Sequence, residues 1–487
     1  MLKRFAKDVV IYGGVDFLFR LAQFAALPVY AHLLSVADFG LLALLTVTAT
    51  LMGMLLNLGI NNAVQRFYFD PEIEEADRPA VVSTGLAQLV LSGLLVTAVG
   101  GLVLLALHEE IRAAWGIGWL LLLIVLLTAL PEQLAQFMLD AVRLQFAPWK
   151  FCAIALIKNL SGVLLGLWLM IYWDLGLAGL LLGTLLAAVA AVPIGVLMIR
   201  RDLTLRIRRK LAGEIFRYGY PFVFAGAAYW VFGSMDRWML MALTGPDQVG
   251  LFSIGFKLGS IVTFLIFAFS QAWSPYAFKA YGESPNYRSI YARILSVWFF
   301  FLAFVGLGIS LFGREVLMLL TPPEYWPAAP IIGICAAGLA LYGTTFISNI
   351  GVSIERKTIL LTYAAWLAAI ANVLLNLALI PYLGAMGAAA STFLSYGVLA
   401  GSLLFWSQRL HPLPLEKAKL AFSCMIVCLS FAAAVISQYF EVSLVAGAAK
   451  AAVLVAVLGS AFLVRIVDLD LYRAMRAGRK AGLTATQ

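Results

Sequence analysis

Seven ionisable side chains stand inside long apolar runs of this 487-residue chain: Asp16, Arg20, Lys158, Asp236, Arg237, Lys257 and Lys450. A charge carried into hydrocarbon costs about 2.5 to 3.5 kcal/mol on insertion scales, so each needs an opposite charge or a wet cavity beside it. Asp16 and Arg20 are four residues apart and can neutralise each other along one helix face. Lys158 and Lys257 have no acidic residue three or four positions away. Their compensation must come from another helix, from water or from a ligand. Arg237 adjoins Asp236 but projects about 100° away from it on a helix, which leaves it able to face a cavity. Lys450, near the end of its run, can snorkel.

Amides extend the pattern. Thr46, Thr50, Asn57, Asn61 and Gln65 wind along roughly one face of a single run and end beside Arg66, and Asn372 and Asn376 repeat the idea further on. Amides facing lipid are unfavourable, so the stripe faces protein through interhelical hydrogen bonds or water through a sugar-binding wall. The basic groups Arg20, Arg66, Lys158, Arg237 and Lys257, beside the polar wall of Asn57, Asn61, Gln65, Asn372 and Asn376, describe a cationic, hydrogen-bonding cavity. An anionic, polyhydroxylated substrate fits it, because Arg holds a phosphate bidentately and Lys does so as a point charge. Cys152, Cys335, Cys424 and Cys428 lie in apolar runs, and His32, His108 and His411 stand far apart at run ends, so no metal site is expected.

The elements that must position these groups are membrane helices. The chain is 63% hydrophobic and 12% charged, against about 25% charged in a soluble domain. Fourteen apolar runs, rich in Leu, Ala, Val and Phe, are each long enough for the roughly 20 residues that a bilayer core of about 30 Å requires. They lack the alternation of a transmembrane barrel, so the expected class is an all-α integral membrane protein of 14 spans. With the N-terminus cytoplasmic, the loops and termini on that side hold 25 Lys and Arg against two, Arg112 and Arg314, on the other. Both termini are therefore expected inside. The net charge of +9 reflects this topology and attraction to anionic lipid, not nucleic acid. No cleavable signal is expected, because the first run is long and carries Asp16 and Arg20.

The chain also repeats itself. Leu175, Gly176, Gly179 and Thr184 return as Leu383, Gly384, Gly387 and Thr392 at one offset of 208 residues. Tyr12-Gly13 ahead of LLSVADFGLL is echoed by Tyr218-Gly219 ahead of LTGPDQVGLF. Two equivalent halves in an apolar chain point to two lobes related by a pseudo-two-fold axis, rocking about a site between them. The expected organisation is a six-helix lobe over 1–199, a basic linker over 200–214, a second six-helix lobe over 215–407, and a helix pair with a basic tail over 408–487.

LPVYAHLLSVADFGLLAL (Leu27 to Leu44), AVQRFYFD at the end of the second run, and DRWMLMALTGPDQVGLFSIGFKLGSI (Asp236 to Ile261) resemble the polysaccharide flippases, the Wzx-like group, of the multidrug/oligosaccharidyl-lipid/polysaccharide exporter superfamily. The resemblance covers nearly the whole chain. It implies alternating access that carries an undecaprenyl-diphosphate-linked oligosaccharide across the bacterial inner membrane for surface polysaccharides such as O-antigen or exopolysaccharide. Arg20, Arg66 and Lys257 are the nearest counterparts of the cavity arginines in related lipid II flippases, with lysine replacing arginine at 257. Asp236 and Arg237 match the family's aspartate-arginine pair. The resemblance implies no enzyme and no cofactor, with a proton or sodium gradient as candidate driving force and Asp16 and Asp236 as candidate coupling carboxylates. Partners implied are the lipid-linked glycan, membrane lipids, and a polysaccharide polymerase and other assembly proteins. A multidrug or other lipid exporter of the same superfamily is the rival reading, but drug exporters carry organic cations in acidic cavities. A polysaccharide polymerase or ligase is a third, disfavoured by the short outer loops.

Overall fold

The computed structural model describes residues 13–15, 18–19, 21–204, 206–439 and 442–466. Among these residues the regular elements are all helical, as a spanning chain with no water for its backbone groups requires. They divide into two compact units, Met1–Ser253 with Leu320–Pro322, and Ile254–Leu319 with Pro323–Gln487.

The first unit contains α1 (Leu27–Leu33), α2 (Val36–Asn57), α3 (Ile60–Tyr68), α4 (Arg78–Trp115), α5 (Trp119–Leu144), α6 (Pro148–Ala155), a π-helical turn (Leu156–Leu160), α7 (Ser161–Tyr172), α8 (Gly176–Ile199) and α9 (Arg209–Leu243). α10 (Pro246–Gly259) begins in this unit and ends in the second. Local chemistry sets the ends. Ser35 caps α2 by accepting from the Asp38 amide at 3.1 Å, and proline opens α4 and α6, where a missing N–H costs nothing. The core packs Ile60, Val64 and Val81 around Phe137 and Phe151.

The run read as one second span is two helices. Leu58 (φ +48°) and Gly59 (φ +73°) break it, and the Asn57 side chain caps the new start by accepting from the Asn61 amide at 3.2 Å. A Cβ on Gly59 would stand 2.2 Å from the Gly219 carbonyl oxygen, so bare backbone at 59 lets α3 lie against α9.

The second unit contains α11 (Val262–Glu283), α12 (Tyr287–Leu320), a 3-10 turn (Pro323–Ala328), α13 (Ala329–Ser348), α14 (Ile350–Ile354), α15 (Ile359–Leu410), α16 (Lys417–Ser437) and α17 (Leu444–Leu463). α13 is almost wholly buried. Its small residues permit close neighbours: Gly333 lies against Ser310 of α12, and Gly338 against Phe393 of α15. His411, 4% exposed, is set between Tyr287 (2.8 Å from Nε2) and Glu355 (3.3 Å from Nδ1), joining the ends of three helices. It is therefore a packed residue and not an interfacial one. Lys450 does not snorkel; its Nζ donates to Glu315 across the α12–α17 contact.

The 208-residue repeat has a conformational basis. Gly176 and Gly384 both take positive φ, +50° and +53°, a region that glycine enters without the Cβ penalty. Each starts a helix that returns against the one before it. A Cβ on Gly179 would stand 2.7 Å from the Met170 amide nitrogen, and one on Gly387 2.5 Å from the Leu379 oxygen.

Ten described helices are long and apolar enough to cross a membrane, or eleven if the bent pair α10 and α11, at 46°, counts as one span. The chain is thus a multi-pass membrane protein, and the sequence count of 14 differs for physical reasons. α15, 52 residues long, is one of the ten although Gly384 breaks it. α9 is outside the ten because Asp236 and Arg237, with glycines and tyrosines, dilute its apolar character. Of the first run only Leu21–Leu33 forms a described apolar helix.

The Gly59 contact generates a matched test. Gly116 has a similar φ of +67° but nothing within 4 Å of a would-be Cβ. Gly116→Ala is expected to cost about 1 to 2 kcal/mol, the left-handed penalty alone. Gly59→Ala adds a backbone collision and should lower the thermal midpoint in detergent well below that of Gly116→Ala; equal midpoints would contradict the packing described.

Candidate functional site

The charged and amide groups of the first unit converge on α5. Glu132, Gln136 and Asp140 recur every four residues and so share one helix face. Pro131 precedes them inside the helix. Glu132 lies about 20 Å along α5 from Trp119, at mid-span for a helix rising 1.5 Å per residue.

Lys158 meets Glu132 there. Its Nζ stands 2.6 Å from Glu132 Oε1 and 3.4 Å from Gln136 Oε1. The lysine side chain is 8% exposed and the glutamate 35%, so Glu132 also borders open space that must be wet to be tolerable in a membrane. Lys158 sits in the π-helical turn Leu156–Leu160, a single-turn insertion of the kind that re-aims a side chain within a helix. The next group is Asp140. It accepts from Asn61 Nδ2 at 2.6 Å, Gln136 Nε2 at 3.3 Å and Arg143 NH1 at 3.2 Å. The Arg143 guanidinium also lies 4.5 Å from the Phe151 ring centroid.

Two carboxylates and two cations are thus tied into one network through Gln136, with formal charges that cancel. Beside it is a cavity of about 100 Å³ lined by Asn61, Gln65, Asp140 and Arg143 on its polar side and by Val64 and Phe137 on its apolar side. One cation, one anion and two amides make a hydrogen-bonding surface without net charge. Such a surface suits hydroxyl groups or water better than a lone anion.

The sequence-derived residues divide accordingly. Asn61 bonds Asp140 on α5, the helix that also carries the partner of Lys158; Gln65 lines the cavity beside Asp140, and Asn57 serves as a helix cap. Lys158 has an ionic partner on another helix, one of the three sources of compensation that its sequence surroundings leave open; no residue on its own helix reveals Glu132. Arg66 pairs with Asp70 at 2.7 Å, an i, i+4 pair at the exposed end of α3. Arg237 is 8% exposed, donates to the Gly233 carbonyl at 3.0 Å and lies 5.1 Å over the Phe252 ring, while Asp236 is 1% exposed. Lys257, Asn372 and Asn376 belong to the second unit. Asn372 and Asn376 are fully buried and bonded to each other at 3.0 Å, so neither forms part of an open wall. Asp16 and Arg20 lie outside the described residues. Glu132, Gln136, Asp140 and Arg143 were missed, although their spacing in PEQLAQFMLDAVR signals a polar stripe inside an apolar run. Among the described residues no group of three His, Cys, Asp or Glu could hold a metal ion.

The model of a family described as polysaccharide biosynthesis protein matches residues 5–281, more than half of the chain. No curated protein matches. Among solved structures, a lipid II flippase MurJ in an inward closed conformation is similar at TM-score 0.73 and 12% identity, over 94% of this chain and 99% of that one. An inward-facing multidrug resistance MATE family transporter is similar at TM-score 0.58 and 13% identity, over 80% and 97%. A transporter of the same superfamily from Pyrococcus furiosus, described by a binding pocket of reverse polarity, is similar at TM-score 0.56 and 16% identity, over 83% and 94%. At these identities the likeness is one of fold.

The Glu132–Lys158 pair is testable by a double-mutant cycle. Removing one partner of a buried pair costs about 3 to 5 kcal/mol, and partial exposure of Glu132 places Glu132→Leu and Lys158→Leu at the lower end of that range. The double variant should recover most of the loss in thermal stability. Additive losses would show that the two side chains do not compensate each other.

Proposed function

The chain belongs to the polysaccharide biosynthesis protein family, and from that membership we propose that it is a flippase for an undecaprenyl-diphosphate-linked oligosaccharide. It would carry this lipid across the bacterial inner membrane by alternating access, for assembly of a surface polysaccharide, with both termini cytoplasmic. One observation carries the reading: a polysaccharide-family chain takes, over 94% of its length, the fold of a protein described as a lipid flippase. The rival reading as a drug exporter shares the fold but not the family. The short loops between spans leave no room for the active-site domain of a polymerase or ligase, and we read the chain as a transporter and not an enzyme.

The neutral pocket of Asn61, Gln65, Asp140 and Arg143 supports a role in holding sugar hydroxyls, since paired donors and acceptors bind polyols without attracting isolated ions. Arg20, Arg66, Arg237 and Lys257 are the proposed diphosphate contacts; Lys158 is not among them, because its side chain is buried against Glu132, whereas Arg66, though paired with Asp70, is half exposed. Coupling to a proton or sodium gradient is proposed through Asp16 or Asp236. A polysaccharide polymerase is the proposed consumer of the delivered lipid.

Deleting the gene should stop surface polysaccharide and accumulate a lipid-linked oligosaccharide in the cytoplasmic leaflet, identifiable by mass spectrometry of extracted lipids. Arg237→Ala with Lys257→Ala should reproduce that accumulation while the protein still inserts. Normal polysaccharide in the double variant would remove both residues from the diphosphate site, and accumulation of no lipid-linked glycan in the deletion strain would overturn the substrate class.

A further inference from the structure

The segment 200–210 joins α8 to α9 and holds six basic residues. It is fastened to the first unit. The Thr204 amide donates to Ser83 Oγ at 2.8 Å and the Arg208 amide to Thr84 Oγ1 at 3.3 Å, both on α4. Arg208 grips Asp77 with two guanidinium nitrogens. Asp202 accepts from Gln145 Nε2 at 2.5 Å, and Lys150 Nζ ties Gln145 to the Met198 carbonyl. Asp77 and Asp202 are thereby occupied.

What remains outward is basic. Arg200, Arg201, Arg206, Arg209 and Lys210 are exposed, and among the described residues no acidic side chain pairs with them. Beside them, joined through the Gln145–Asp202 bond, the turn after α5 presents two apolar rings. Phe146 holds a positive φ of +51° and is 58% exposed; Trp149 is 71% exposed. A non-glycine residue in that conformation is uncommon, and here it turns the ring outward, with the Phe69 ring 6.2 Å from it. α8 ends at Ile199, at the end of a membrane-length helix. The segment therefore lies at headgroup level, where aromatic rings settle and Lys and Arg meet anionic lipid.

We propose that this rim of the first unit is a preorganised binding surface for anionic phospholipid headgroups of the cytoplasmic leaflet. Five outward cations face the phosphates, and Phe146 and Trp149 insert beside them. Because hydrogen bonds already order the segment, little freedom is lost on binding, which separates it from a flexible polybasic loop. The inference rests on the inward orientation of the basic loops and is independent of which glycan is carried.

The test compares the full-length purified protein with Arg201→Gln/Arg206→Gln/Arg209→Gln. A control, Lys279→Gln/Arg288→Gln/Arg356→Gln, removes three charges from loops of the second unit. Retention of phosphatidylglycerol and of phosphatidylethanolamine is read by native mass spectrometry. Each basic residue near a membrane surface contributes roughly fivefold in affinity, so the first variant should retain phosphatidylglycerol on the order of a hundredfold more weakly. The control charges stand on separate loops, one of them beside Glu283, so the control should lose markedly less than the first variant, and neither variant should change retention of phosphatidylethanolamine. Equal loss in both variants, or no loss in the first, overturns the proposal. Should the triple variant fail to fold, Arg206→Gln, which stands outside any helix, carries the same comparison at a roughly fivefold loss.

Discussion

A charge at mid-bilayer is tolerable only with a partner, and the Glu132–Lys158 pair is where the first unit meets that constraint. Neither residue can satisfy it alone. Lys158 lies on a helix without acids, and Glu132 lies on a helix whose nearest cation, Arg143, is engaged by Asp140. Their meeting needs α5 and the α6–α7 segment side by side, and it needs the π-helical turn that carries Lys158. Pro131, just before Glu132, interrupts the regular bonding of α5 and loosens the helix where the pair forms. Gln136, Asp140 and Asn61 extend the pair into a network that ends at a small polar cavity. Its cancelled charges offer hydrogen bonds without attracting an isolated ion, which suits the proposed passage of a glycan.

Close packing without side chains is the second recurring device. Gly59 against Gly219, Gly179 against Met170, and Gly387 against Leu379 each place backbone on backbone. In lipid, where apolar burial between helices gains nothing over contact with acyl chains, such approaches supply much of the association energy. The same device at Gly179 and Gly387, after positive-φ glycines at 176 and 384, shows that the repeat preserves a turn and a contact, not merely composition.

That corner was legible from one offset of 208 residues, as was the helical, membrane-spanning class, because glycine and hydropathy carry their constraints within a short window. The Tyr12-Gly13 echo was less informative: Gly219 meets the backbone of Leu58 and Gly59, whereas Gly13 has nothing within 4 Å of its Cβ position. The site was only half legible. Asn57, Asn61 and Gln65 stood out because amides are rare in apolar runs, but the break at Leu58–Gly59 gave Asn57 a capping role that polarity alone does not indicate. The partner of Lys158 was hidden for a different reason. Sequence spacing reports neighbours on one helix, while Glu132 is 26 positions away and reaches the lysine only through tertiary packing. Asn372 and Asn376 differ in the opposite sense, since two amides four apart can bond to each other and be buried.

The proposed transport of a diphosphate-linked lipid glycan between leaflets can be read out by reconstitution into sealed liposomes. A fluorescent polyprenyl-diphosphate oligosaccharide is loaded in both leaflets, and a membrane-impermeant quencher is added outside. The signal should fall by about half in empty vesicles and almost completely in vesicles holding the protein, with an analogue lacking the diphosphate left protected. A signal that stops at the same level with and without protein contradicts it.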